Sequence, residues 1–175
     1  MDIISAHKRP RQGWAHLDGK VDLRPLQPAA WDVDALAARA QIADVFYRFG
    51  VAWDEARVDV LCTCFTDEGL LECSEGDAQP ILSVRGHDAM REILSEQLTI
   101  QADQRRHLFS NVMVEELDLD QGVARALAQS VVTATGDTLQ LAAAAIYTAD
   151  LRREPDGCWR FVSFFIGMDR YAETG

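Results

Sequence analysis

Residues 105–117, RRHLFSNVMVEEL, open with two arginines and a histidine and continue as a largely apolar run whose members alternate. That period of two belongs to a half-buried β-strand. Runs of the same kind follow at 123–135, 139–153 and 158–169. The breaks between them, at Asp120–Gly122, Gly136–Asp137 and Pro155–Gly157, hold the residues that hairpin turns prefer. Four strands joined this tightly read as an antiparallel meander.

Upstream the period changes. From Asp32, a suitable N-cap, DVDALAARAQIADVFYRFGVAWD reads as a helix. Ile42, Val45, Phe46, Phe49 and Trp53 form one apolar stripe on it, and Leu36, Ala40, Ala43, Tyr47, Val51 and Asp54 form a neighbouring one. RVDVLCTCF reads as a short helical turn, TDEGLLEC as a strand, and GHDAMREILSEQLTI as a second amphipathic helix with Ala89, Ile93 and Leu94 inward. Helices first and strands afterwards is an α+β plan. The expected architecture is a curved mixed, mostly antiparallel sheet wrapped around the N-terminal helices, a cone whose interior is lined by alternate strand residues. Residues 1–30 mix charges, glycines and Pro10, Pro25 and Pro28 without a period and are expected to form an extended arm, with 31–175 as a single domain.

A chain of 175 residues is long enough for one full hydrophobic core. Its net charge of −11 speaks against nucleic-acid and anionic-membrane partners, which need a basic surface. No stretch approaches the roughly 18 apolar residues of a membrane span, and MDIISAHKRPRQGW is too polar for a signal peptide, so a cytoplasmic location is expected. The four cysteines, Cys62, Cys64, Cys73 and Cys158, fit reduced thiols there. There is no C-x-x-C or H-E-x-x-H spacing to suggest zinc, no phosphate-binding loop and no G-x-S-x-G elbow.

The chemistry that remains is acid–base. On strand 106–117, strict alternation puts His107 on one face with Phe109, Asn111 and Met113, and Leu108, Ser110, Val112 and Val114 on the other. A tight turn at 120–122 would bring Gln129, Val131 and Thr133 of the next strand beside His107. Such a mixed polar and apolar surface suits a small-molecule pocket. The alanines of LAAAAIY leave room beside it, although alanine runs also occur where a sheet packs on a helix. Asp54 ends the first helix, where a carboxylate gains nothing from the helix dipole. Accepting from one imidazole nitrogen, it would fix the tautomer and leave the other nitrogen as a base suited to neutral pH. Spacing leaves open a solvated Asp54 and a His107 bonded to backbone. His7 and His16 lie in the polar arm, and His87 starts a helix.

The segments IADVFYRFGVAWDEARVDVLCTCFTDEGLLEC, VRGHDAMREIL, RRHLFSNVMVEEL and AIYTADLRREPDGCWRFVSF resemble the SnoaL-like branch of the NTF2-like superfamily of cone-shaped α+β proteins. Its dehydratases of scytalone and bile acids and its hexachlorocyclohexane dehydrochlorinase are members that the chain resembles. The resemblance implies a catalytic dyad at Asp54 and His107. It also implies a cofactor-independent lyase or isomerase acting on a hydrophobic cyclic or polyketide-like molecule, with no metal and with assembly as a homo-oligomer, dimer or trimer. Tyr47, Asn111 and Gln129 are the candidates to hold a substrate oxygen, with Phe109 and Met113 as apolar contacts. Where relatives place Tyr or Lys one turn before the aspartate this chain has Phe49, and Gln129 stands nearest to a second ionisable group on the following strand. The alternative is a non-catalytic binding or oligomer-assembly module of the same fold.

Overall fold

The computed structural model describes residues 24–27, 31–75 and 79–169. The arm expected over residues 1–30 therefore lies almost wholly outside the described residues.

Helix α1 spans Val33–Asp54 and starts where the sequence says it should: the Asp32 carboxylate accepts from the Ala35 N–H at 2.8 Å. Its predicted core stripe is real. Ile42, Phe46 and Phe49 are fully buried, with Val45 and Trp53 packed alongside. The second stripe is not a core face, for Leu36, Tyr47 and Val51 are exposed, and only Asp54 at its end turns inward. A short helix, α2 (Val58–Thr63), leads into β1 (Phe65–Glu75). Then come β2 (Leu82–Arg85), which has no counterpart in the sequence reading, and α3 (His87–Ile100). The meander follows as β3 (Gln104–Asp118), β4 (Val123–Thr135), β5 (Leu139–Arg153) and β6 (Trp159–Met168).

The six strands form one open sheet in the order β2-β1-β6-β5-β4-β3. β1 runs parallel to β6, and every other pairing is antiparallel. Register shifts interrupt every pairing except that of β1 with β2. Each extra residue bends its strand and increases the local twist, so the sheet curls and takes α1 into its hollow. Alanines make that approach possible: Ala124, Ala126, Ala128, Ala145 and Ala149 of β4 and β5 are all buried. The aromatic side chains concentrate opposite them, where Phe46 and Phe49 of α1 meet Phe65, Phe161 and Phe164 at ring separations of 4.7 to 6.3 Å. Such edge-on pairs add about 0.5–1.5 kcal/mol each beyond the area they bury.

Candidate active site

The C-terminal end of α1 is tied to the N-terminal end of β3 by four polar contacts. Gln104 Nε2 donates to the Asp54 carbonyl at 2.9 Å, and Arg106 pairs with Glu55 at 3.1 Å. Between them, the backbone N–H of His107 donates to Asp54 Oδ2 at 2.9 Å and its ring Nδ1 meets Asp54 Oδ1 at 2.6 Å. A carboxylate only accepts, so Nδ1 carries a proton, and in the neutral ring Nε2 is the nitrogen with the lone pair. The two side chains are 8% and 6% exposed. The closeness of helix to strand depends on Gly50, one turn before Asp54, for a Cβ there would lie 2.8 Å from Phe109 Cε2 and 3.1 Å from His107 Cβ.

His107 forms part of the wall of a cavity of about 280 Å³, near the lower end of the range for small-molecule sites. Its floor is Phe49, Leu71, Val132, Tyr147 and Ile166, all buried, while Ile81, Gln97 and Ala142 are exposed at its rim. The Trp53 ring stands edge-on to His107 with centroids 6.0 Å apart. Ala142 and Ala143 supply the room that the alanine run suggested, whereas Ala145 belongs to the packed core.

The remaining predicted residues do not line this cavity. Phe109 lies on the inner face beside His107 and packs between Phe46 and Tyr147, so it supports the site from behind. Asn111 and Met113 were expected on that face too, but a bulge between Ser110 and Met113 sends them outward and brings Val112 and Val114 in. A slip of one residue exchanges the two faces of everything beyond it. Gln129 fails for a related reason. The hairpin closes with Asp118 opposite Val123, its turn tied by Asp118 Oδ1 accepting from Gln121 N–H at 2.9 Å, which sets Val132 opposite His107. Ser130 and Val132 therefore face inward, and Gln129 is exposed, accepting from the Asn111 side chain. Tyr47 is 46% exposed on the outward side of α1.

Four polar side chains of the cavity went unread in the sequence: Tyr147, Arg105, Gln97 and Cys73. Burial pushes the Cys73 thiol up to about 11 and holds the Tyr147 phenol well above its ordinary value, so both keep their protons near neutral pH. Arg105 is engaged by Asp103 at 3.0 Å. Tyr147 had a signal, as the residue ending LAAAAIY. Using it required the parity of β5, which the hairpins set.

With the geometry in place, the comparisons assign the family. The model of the SnoaL-like domain matches residues 34–164. The chain belongs to the SnoaL-like family. No curated protein matches it. Among solved structures, a Mycobacterium tuberculosis protein of unknown function shares 24% identity over 82% of this chain and 79% of its own, with a TM-score of 0.68. A Novosphingobium aromaticivorans chain assigned as the beta subunit of an aromatic-ring-hydroxylating dioxygenase has a TM-score of 0.70 at 18% identity, covering 79% of this chain and 94% of its own. An NTF2-like protein with a cystatin-like fold from the same organism reaches 0.64 at 20%, covering 78% and 90%. At such identities the likeness is one of fold, and the SnoaL-like cone is that fold. Among the described residues, no helix is long and apolar enough to cross a membrane.

Proposed function

We propose that this SnoaL-like protein is a cofactor-independent lyase or isomerase, in which His107 moves a proton on a small hydrophobic cyclic or polyketide-like substrate and Asp54 holds the ring. The observation that carries this reading is the buried 2.6 Å contact between Asp54 Oδ1 and His107 Nδ1 at the wall of an apolar cavity. The arrangement engages both oxygens of the carboxylate with one residue and leaves Nε2 outside the contact. Imidazole is the side chain whose ordinary range suits proton transfer near neutral pH. During transfer the carboxylate stabilises the imidazolium across a dry contact, where charge is worth more than in water. Elimination of water and migration of a double bond both begin with such a base, which returns its proton to a leaving hydroxyl or to another carbon.

The test is turnover of a panel of cyclic β-hydroxyketones and enones. His107→Ala is expected to abolish it while circular dichroism and the thermal midpoint stay close to those of the wild type. Full activity in that variant would sink the reading. A second reading is a binding or assembly module of the same fold. Its support is a row of exposed apolar side chains on the outer sheet face and the likeness to a chain assigned as an oxygenase subunit. Ligand affinity unchanged in His107→Ala, with no product from any panel member, would favour it.

A further inference from the structure

A helix that covers a sheet ordinarily turns a polar side to solvent, and α1 breaks that rule. One side of it fills the hollow of the sheet through Ile42, Phe46 and Phe49. The opposite side carries Val33, Ala37, Ala40, Tyr47 and Val51, all exposed, with Val33 at 80% and Val51 at 62%. A helix that is apolar all round belongs between two layers, and the described residues supply one. The spacing on the outer side alternates between four and three residues, through Val33, Ala37, Ala40, Asp44, Tyr47 and Val51. That is the seam of a helix pair, about 27 Å long at 1.5 Å per residue. Asp44 is its one charged member, and Arg48 holds it from one turn further on. Beside the seam, at intervals of one heptad, stand Asp34, Gln41 and Arg48, all exposed.

We propose that the outer face of α1 packs on the α1 of a second copy, antiparallel about a two-fold axis. In that arrangement the seam is self-complementary, as an isologous contact requires. Val33 meets the partner's Val51 at each end, and Tyr47 lies over the partner's Ala37, whose small side chain leaves space for the ring. At the centre Ala40 faces the partner's Asp44. The flanking residues decide the direction. Antiparallel helices set the same flank of each against the other, which brings Asp34 level with the partner's Arg48, twice over by symmetry, and Gln41 level with the partner's Gln41. A parallel pair would turn Arg48 toward the opposite flank, where Ala43 and Gly50 offer no acceptor side chain. Arg48 then joins its own Asp44 to the partner's Asp34, so the charged member of the seam stays paired, and one polar residue in a seam fixes its register. That flank is open to a partner: Gln41, Asp44 and Arg48 border a hollow of about 310 Å³ between α1 and the turn that joins β5 to β6. The surface is separate from the outer face of the sheet.

Sedimentation equilibrium tests this in a chain carrying Leu108→Lys and Val131→Lys, so that the outer face of the sheet takes no part in association. That chain is expected to be a dimer. Tyr47→Lys, a change at an exposed position, is expected to make it monomeric with its circular dichroism unchanged. Arg48→Glu is expected to weaken the dimer by about 10–100-fold, because each subunit then faces the partner's Asp34 with a like charge. Adding Asp34→Arg to Arg48→Glu restores both opposite-charge pairs and is expected to recover the dimer, which a change that merely harmed the helix would not do. A monomer before any substitution on α1 overturns the interface, and a dimer indifferent to Tyr47→Lys overturns it equally. An Arg48→Glu variant that associates as tightly as its parent, or one that Asp34→Arg fails to rescue, overturns the antiparallel pairing.

Discussion

Asp54 occupies a place that helix electrostatics disfavours for a carboxylate, and it is held there because one residue satisfies both of its oxygens. That arrangement makes its replacement diagnostic. In Asp54→Asn the remaining carbonyl oxygen can still accept from the His107 N–H, but the amide NH2 then faces Nδ1. Nδ1 must become the acceptor, and the ring proton moves to Nε2, where the base should be. Turnover is expected to fall by about 10²–10⁴-fold, the usual worth of a positioned acid–base group, with the fold retained. A loss smaller than tenfold in kcat would remove the carboxylate from the mechanism.

At the scale of elements, the middle of β3 decides which side chains the site can use. Asn111 sits at φ 50, in the left-handed region, and the bulge around it exchanges the strand's faces. Asn tolerates that conformation, Gly is indifferent to it, and a β-branched residue is strained there. Asn111→Gly is expected to leave the urea midpoint nearly unchanged, and Asn111→Val to lower stability by about 1–2 kcal/mol. Equal midpoints for the two variants would show that the backbone is not held left-handed in solution. The strand itself, its partner β4 and the stripe of α1 were legible in the sequence because hydrophobic periodicity is a local property. The bulge was not, since an apolar–polar alternation carries no mark of one added residue, and Val112 reads equally well on either face.

Two thiols lie against the core, Cys64 at the C-cap of α2 and Cys73 in β1, and their burial sets the response of the whole molecule to alkali. Burial raises Cys64 from 9.0 to about 12 and Cys73 to about 11. Between pH 9 and those values the unfolded chain has lost protons that the folded chain keeps, so stability is full below pH 9 and falls as the pH rises. Urea midpoints measured from pH 8 to 11 should decline, and less steeply in Cys64→Ala; identical slopes would mean that this thiol ionises freely in the fold. On the outer face, Leu108, Val131 and Ala144 stand in register across β3, β4 and β5, and Leu108 is 57% and Val131 41% exposed. We propose this apolar row as an interface between copies of the chain, and expect, in the Tyr47→Lys variant, a homo-oligomer by light scattering that Leu108→Lys together with Val131→Lys converts to monomer. A monomeric wild type would refute that assembly.

The sequence by itself determined most of the elements: the cap at Asp32, the buried stripe through Phe49, the strands other than β2 and their turns, and the two residues, Asp54 and His107, whose chemistry stood out from their surroundings. Each of these depends on neighbours a few positions away. What surrounds the dyad was decided by the tertiary structure. The parallel pairing of β1 with β6, the one-residue offset of the β3–β4 hairpin and the bulge at Asn111 fix which odd and even positions face inward. Those choices turned Asn111 and Gln129 away from the cavity and Tyr147 toward it, because the side-chain period of a strand is two and a single residue of register changes which face meets the cavity.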